Sequence, residues 1–131
     1  MTVNYNPRTV TDGLVLCLDA ANTMSYPGSG TTWTDLSGNG NNGTLVNGVG
    51  YTSDNRGSLV FDGSNDYVTL SSSQIAPGTG AFTWNFWIKL NDVSNMSIIF
   101  SGTGSNSGYG VIFANSAGYG LGYYAGGYQI V

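Results

Sequence analysis

The sequence has no histidine, no glutamate, one cysteine and only three basic residues, Arg8, Arg56 and Lys89, in 131 positions. Each scarcity removes a class of function. Without histidine there is no imidazole general base and no His-ligated metal site. Without glutamate, a glycosidase pair would have to be two aspartates. The single Cys17 excludes an internal disulfide and a cysteine-rich zinc site. Three scattered cations cannot neutralise a run of phosphates, so nucleic acid is not an expected partner. Charged residues are 8% of the chain, against a usual ~25%. The seven acidic residues are all Asp, and the net charge is −4.

Long apolar runs are also missing. The longest, Leu14–Leu18, has five residues, where a membrane span needs ~20. The N-terminus lacks the basic and apolar regions of a secretion signal. The expectation is a soluble protein made in the cytosol.

Present instead are 21 Gly and a 13% aromatic content within 40% hydrophobic residues. No window sustains an i, i+3, i+4, i+7 apolar pattern, so helices are not expected. Short β-rich runs alternate with Gly, Asn and Ser clusters, which predicts strands. The strand candidates are 14–18, 44–46, 58–61, 67–70, 82–90, 97–101, 109–114, 121–125 and 128–131. In 82–90, Phe82, Trp84, Phe86, Ile88 and Leu90 alternate with Thr83, Asn85, Trp87 and Lys89, a period of two. The Gly-Tyr-Gly at 108–110 recurs at 118–120 and predicts one hairpin turning at 115–118. The fold class expected is all-β, an antiparallel sandwich. Residues 1–12 are expected to form an arm and 13–131 one domain, of ordinary domain length.

Two loops carry oxygen-rich side chains. Asp35, Ser37 and Asn39 fall at positions one, three and five of an EF-hand-like run, with Gly40 at six. Position twelve is Val46, where that loop needs a bidentate Glu, so a true EF-hand is rejected. Two readings stay open: a turn capped by its own Asp and Asn side chains, or a site where Asp35 and Asn39 ligate a cation. The run 62–67, Asp-Gly-Ser-Asn-Asp-Tyr, joins two strands and reads either as a tight hairpin or as part of a Ca²⁺ site. A flat ring can stack on the apolar face of a sugar. Trp87 shares its face with Asn85 and Lys89 and is the better platform. Trp84 alternates with the core set. Trp33 sits beside a polar loop, and tyrosines crowd the segment from Tyr109 to Tyr128. The candidate ligand-binding residues are Trp33, Trp87, Tyr67 and Asn42.

Three stretches occur in a specific order: Gly-Leu-Val-Leu-Cys-Leu-Asp-Ala at 13–20, the Ser-Tyr-Pro-Gly loop through Trp33 and Asp35 to Leu45, and Ser-Leu-Val-Phe-Asp-Gly-Ser-Asn-Asp-Tyr-Val at 58–68. They are followed by Phe-Thr-Trp at 82–84 and Trp-Ile-Lys at 87–89. This set resembles the laminin G-like domains of the concanavalin A-like lectin/glucanase superfamily, of the kind found in tailed-phage and marine bacterial surface proteins. The resemblance implies a jelly roll of two curved antiparallel sheets. It implies adhesion or glycan binding, often with one Ca²⁺ at the rim, and favours Asp66 as a ligand. Asp35 and Asn39 would join it only if the fold brings the loops together. The Glu-x-Asp-x-Glu motif of the related glucanases is absent, which argues against hydrolysis.

The expectation is therefore a non-enzymatic module that binds surface glycans. Its expected setting is a virion surface, as a fibre or decoration protein in a homo-oligomer or larger assembly. The alternative is a purely structural, particle-cementing protein without a ligand.

Overall fold

A strand forms where an alternating run also finds a neighbour to bond its backbone. The computed structural model describes residues 10–70, 81–90, 96–101, 109–115, 118–124 and 128–130. Two units, 1–72 and 73–131, divide the chain. Among the described residues the elements are strands β1 (Thr32–Trp33), β2 (Gly43–Val46), β3 (Gly50–Thr52), β4 (Ser58–Val60), β5 (Tyr67–Leu70), β6 (Met96–Ser101), β7 (Tyr109–Asn115), β8 (Gly118–Tyr124) and β9 (Tyr128–Ile130), with one 3₁₀ turn at Asp54–Arg56. All pairings are antiparallel.

In the first unit, β2 is the centre of a sheet ordered β1-β2-β5. Its residues alternate buried and exposed: Gly43 and Leu45 inward, Thr44 outward. Leu45, 5% exposed, lies opposite Val68, and Thr44 opposite Thr69. Gly43 faces Trp33 on one side and Leu70 on the other. A Cβ on Gly43 would stand 2.8 Å from Val68 Cγ1 and 3.4 Å from Trp33 Cβ, so only glycine fits there.

The hairpin of β3 and β4 forms a separate two-stranded sheet. Tyr51 on β3 packs its ring 5.5 Å from that of Tyr26, which is 3% exposed and donates its hydroxyl to the Gly30 carbonyl. Gly57, at φ 128°, closes this cluster: a Cβ there would meet the Ala20 carbonyl at 2.6 Å.

The second unit holds a four-stranded meander, β6-β7-β8-β9. β7 and β8 meet with Asn115 opposite Gly118, as the repeated Gly-Tyr-Gly predicts.

Three sequence expectations differ from the structure. Leu14–Leu18 is not a strand, because its backbone groups are bonded largely by side chains of a neighbouring loop. Residues 82–90 carry the alternation but form no strand among the described residues, since periodicity sets faces and does not by itself set ladder pairing. Residues 62–66 do not close a hairpin: β4 pairs with β3 and β5 with β2, so this loop crosses between sheets. β1 and β3, too short for a period to show, were not expected. The predicted arm at 1–12 lies mostly outside the described residues.

Candidate functional site

The first cluster is built around Asp35, which follows β1 and is 7% exposed. Its Oδ1 accepts from the N–H groups of Cys17 and Ser37, both at 2.9 Å. Its Oδ2 accepts from the Ser37 hydroxyl at 2.7 Å and the Asn41 N–H at 3.0 Å. A carboxylate offers about four lone-pair sites, so these four donors fill it. Burial pushes the Asp35 carboxyl up. The Ser37 hydroxyl and the N–H groups of Cys17, Ser37 and Asn41 outweigh it together and hold the group below its ordinary value.

The same loop reaches across to the 14–18 segment. Asn39 Nδ2 donates to the Leu14 carbonyl at 2.8 Å, and Asn41 Nδ2 to the Val15 carbonyl at 2.8 Å. Leu36 N–H donates to the Cys17 carbonyl. Ser37 has one hydroxyl proton, and the short contact to Asp35 takes it, leaving its lone pairs for the Asn39 N–H and Nδ2 at 3.2 and 3.1 Å. Asn42 Oδ1 accepts the Asp35 N–H at 2.9 Å. Asn39 and Asn42 thus serve the local clasp, and so does every lone pair of Asp35. The half-buried Cys17 thiol is pushed up, first by burial and then by the charges of Asp19 and Asp35, so it is a poor nucleophile.

The second cluster is the 61–66 loop. Asp62 N–H donates to Asp66 Oδ2 at 3.1 Å, and Ser64 N–H to Asp62 Oδ1 at 2.8 Å. Asp66 Oδ1 is buried and has no hydrogen-bond partner. That oxygen is the open acceptor a hard cation would take. Among the described residues no three His, Cys, Asp or Glu side chains form a ready ligand group.

The fold does not bring the two loops together. The Asp35 loop enters β2 at Gly43, whereas Asp66 precedes Tyr67, which lies opposite Val46 at the other end of β2. Four strand residues at ~3.3 Å each separate them.

Of the aromatic candidates, Trp87 is 99% exposed, and Asn85 and Lys89 are exposed beside it. Trp84 and Phe86 are half-buried, with Phe82 and Trp84 ring centroids 5.1 Å apart. Tyr67 is 47% exposed on the rim of its sheet. Trp33 is half-buried, its Nε1 buried without a partner. Sequence reasoning missed Ser25, which is 0% exposed. Its Oγ donates to the Thr34 carbonyl at 2.6 Å and accepts the Asp19 N–H at 3.1 Å. It also missed the buried Asn41. The Ser-Tyr-Pro-Gly run was the available signal for the first; nothing distinguished Asn41 from its neighbours.

Antiparallel sheets with one short 3₁₀ turn among the described residues define an all-β protein. The profile of the concanavalin A-like lectin/glucanases superfamily, in its laminin G form, matches residues 62–131, and the chain belongs to that superfamily. No curated protein matches the sequence. Among solved structures, an S-layer domain-containing protein from Clostridium thermocellum superposes with a TM-score of 0.61 at 24% identity, over 79% of this chain. The likeness shows the fold. This chain spans 50% of the length of that one. No helix among the described residues is long and apolar enough to cross a membrane.

Proposed function

We propose that the protein is a non-enzymatic carbohydrate-binding or adhesion module, whose sheets close as a jelly roll and whose ligand surface includes Trp87. The observation that carries this reading is the exposure of Trp87, 99%, inside the stretch that matches the superfamily. An indole left in water gives up the hydrophobic gain of its large area, of order 25 cal/mol per Å². That cost is recovered when an apolar ligand face covers the ring. Asn85 and Lys89, exposed beside it, supply donors for sugar hydroxyls. A single Ca²⁺ at Asp66 Oδ1 is part of the proposal, supported by that oxygen's lack of a partner.

Hydrolysis is not part of it. Asp66 Oδ2 is tied to the Asp62 main chain, and the sequence has no glutamate to supply the acid–base motif of the related glucanases.

A glycan array with wild-type protein and Trp87→Ala tests the reading. Wild-type binding to a defined glycan set, lost in a Trp87→Ala protein with unchanged circular dichroism, is the expected result. A silent wild-type array would remove the ligand and leave a structural role.

A further inference from the structure

The chain contains three Asn-Gly pairs, at 39–40, 42–43 and 47–48. In such a pair the glycine nitrogen can approach the asparagine side-chain carbonyl carbon without a Cβ in the way. The reacting dipeptide is the same at all three, so the folded structure is what separates the pairs.

Asn42-Gly43 is locked. Gly43 is buried in β2 between Trp33 and Leu70, and Asn42 Oδ1 holds the Asp35 N–H. Asn39-Gly40 is exposed but pinned on both sides. Asn39 Nδ2 reaches the Leu14 and Val15 carbonyls and Ser37 Oγ, and its N–H donates to that same Oγ. Asn41, just beyond Gly40, is buried with its N–H on Asp35. Asn47-Gly48 is different. Both residues are exposed and stand in the left-handed region, at φ 65° and 100°. A Cβ at Gly48 would meet nothing within 4 Å. One side-chain bond, Asn47 Nδ2 to the Asn65 carbonyl at 2.8 Å, holds the asparagine.

We propose that Asn47-Gly48 is a site of spontaneous deamidation in the folded protein, reacting ahead of the other two pairs. Modification there unties the β2–β3 turn from the 61–66 loop. The Gly48 nitrogen gives up its proton and bonds to Asn47 Cγ. The Cγ–Nδ2 bond breaks and ammonia leaves, forming a succinimide. Solvent water then opens one of the two imide C–N bonds, leaving aspartate or isoaspartate, with no change of oxidation state. Either product carries a carboxylate, which cannot donate to the Asn65 carbonyl. It also sets a negative charge against the residue next to Asp66. The proposal stands independently of glycan or Ca²⁺ binding.

Hydroxylamine cleaves the succinimide and so reports where it forms. Native and denaturant-unfolded protein are treated in parallel at mildly alkaline pH, and the fragments are weighed. The native protein should yield fragments 1–47 and 48–131 first. Cleavage after residues 39 and 42 should fall about tenfold or more below its rate in the unfolded chain, the factor a modest cost of local opening imposes. Native cleavage led by residue 39 or 42, or none at 47 while the unfolded chain is cut there, would overturn the ranking. Asn47→Asp tests the consequence: hydrogen exchange across 61–66 should rise, and unchanged exchange would refute the loss of the tie.

Discussion

Asp35 shows how one residue type can serve either of two roles. An aspartate in a Gly- and Asn-rich loop can bind a cation or cap its own turn. Here four donors converge on it at 2.7–3.0 Å. Removing the carboxylate would strand one buried and three partly buried donors, where a fully buried one costs ~1–3 kcal/mol. Asp35→Ala is therefore expected to lower unfolding free energy by about 3 kcal/mol, measured by urea titration. The pH dependence follows from the lowered carboxyl. A carboxyl depressed in the folded state stabilises above its unfolded value, about 3.9. That contribution is lost as pH falls from there through the folded value. Wild-type stability should decline across this acid range, and Asp35→Ala should decline less steeply. Parallel acid slopes for the two proteins would show that the four donors do not bind the ionised form preferentially.

Among the elements, β2 organises the first unit. It pairs with β1 and β5 at once, and its entry residue admits no side chain. Gly43→Ala should cost about 1–3 kcal/mol through overpacking against Val68 and Trp33. The paired change Gly43→Ala with Val68→Ala should restore part of the loss, because the clash at 2.8 Å is with a Val68 methyl. Thermal unfolding of the two variants checks this, and no recovery in the pair would place the strain elsewhere. The 14–18 segment is the complementary case. Its apolar run has strand composition, yet Asn39, Asn41 and Asp35 bond its backbone in place of a second strand. Side-chain amides mimic main-chain amides, which is why composition alone did not separate the two arrangements.

At the scale of the whole molecule, ligand and metal linkage is the readable quantity. A cation that binds only the folded form at a hundred times its Kd adds about 2.7 kcal/mol. Millimolar Ca²⁺ should raise Tm relative to excess chelator, and Asp66→Asn should abolish the rise. An equal rise in Asp66→Asn would move the ion to another loop, and no rise in the wild type would remove it. The family match spans both the Asp66 loop and Trp87, so the two candidate ligand features lie in the stretch that defines the superfamily.

The class of fold was legible in the chain itself. Scarce charge, abundant Gly and short β-rich runs at 44–46, 58–61 and 67–70 set between turn residues specify short antiparallel strands, because strand propensity and turn chemistry are local properties. The repeated Gly-Tyr-Gly likewise announced the β7–β8 hairpin. Pairing partners were not legible. The 61–66 loop looks like a hairpin turn, but β5 bonds to β2, over twenty residues earlier in the chain. Nor did spacing tell Asp35 from Asp66. Both sit among Asn, Ser and Gly, and only tertiary contacts surround the first with donors while leaving one oxygen of the second bare. Local sequence sets which conformations and faces are cheap. Which backbone groups and carboxylates find partners is decided by segments far apart in the chain, and that only the folded structure records.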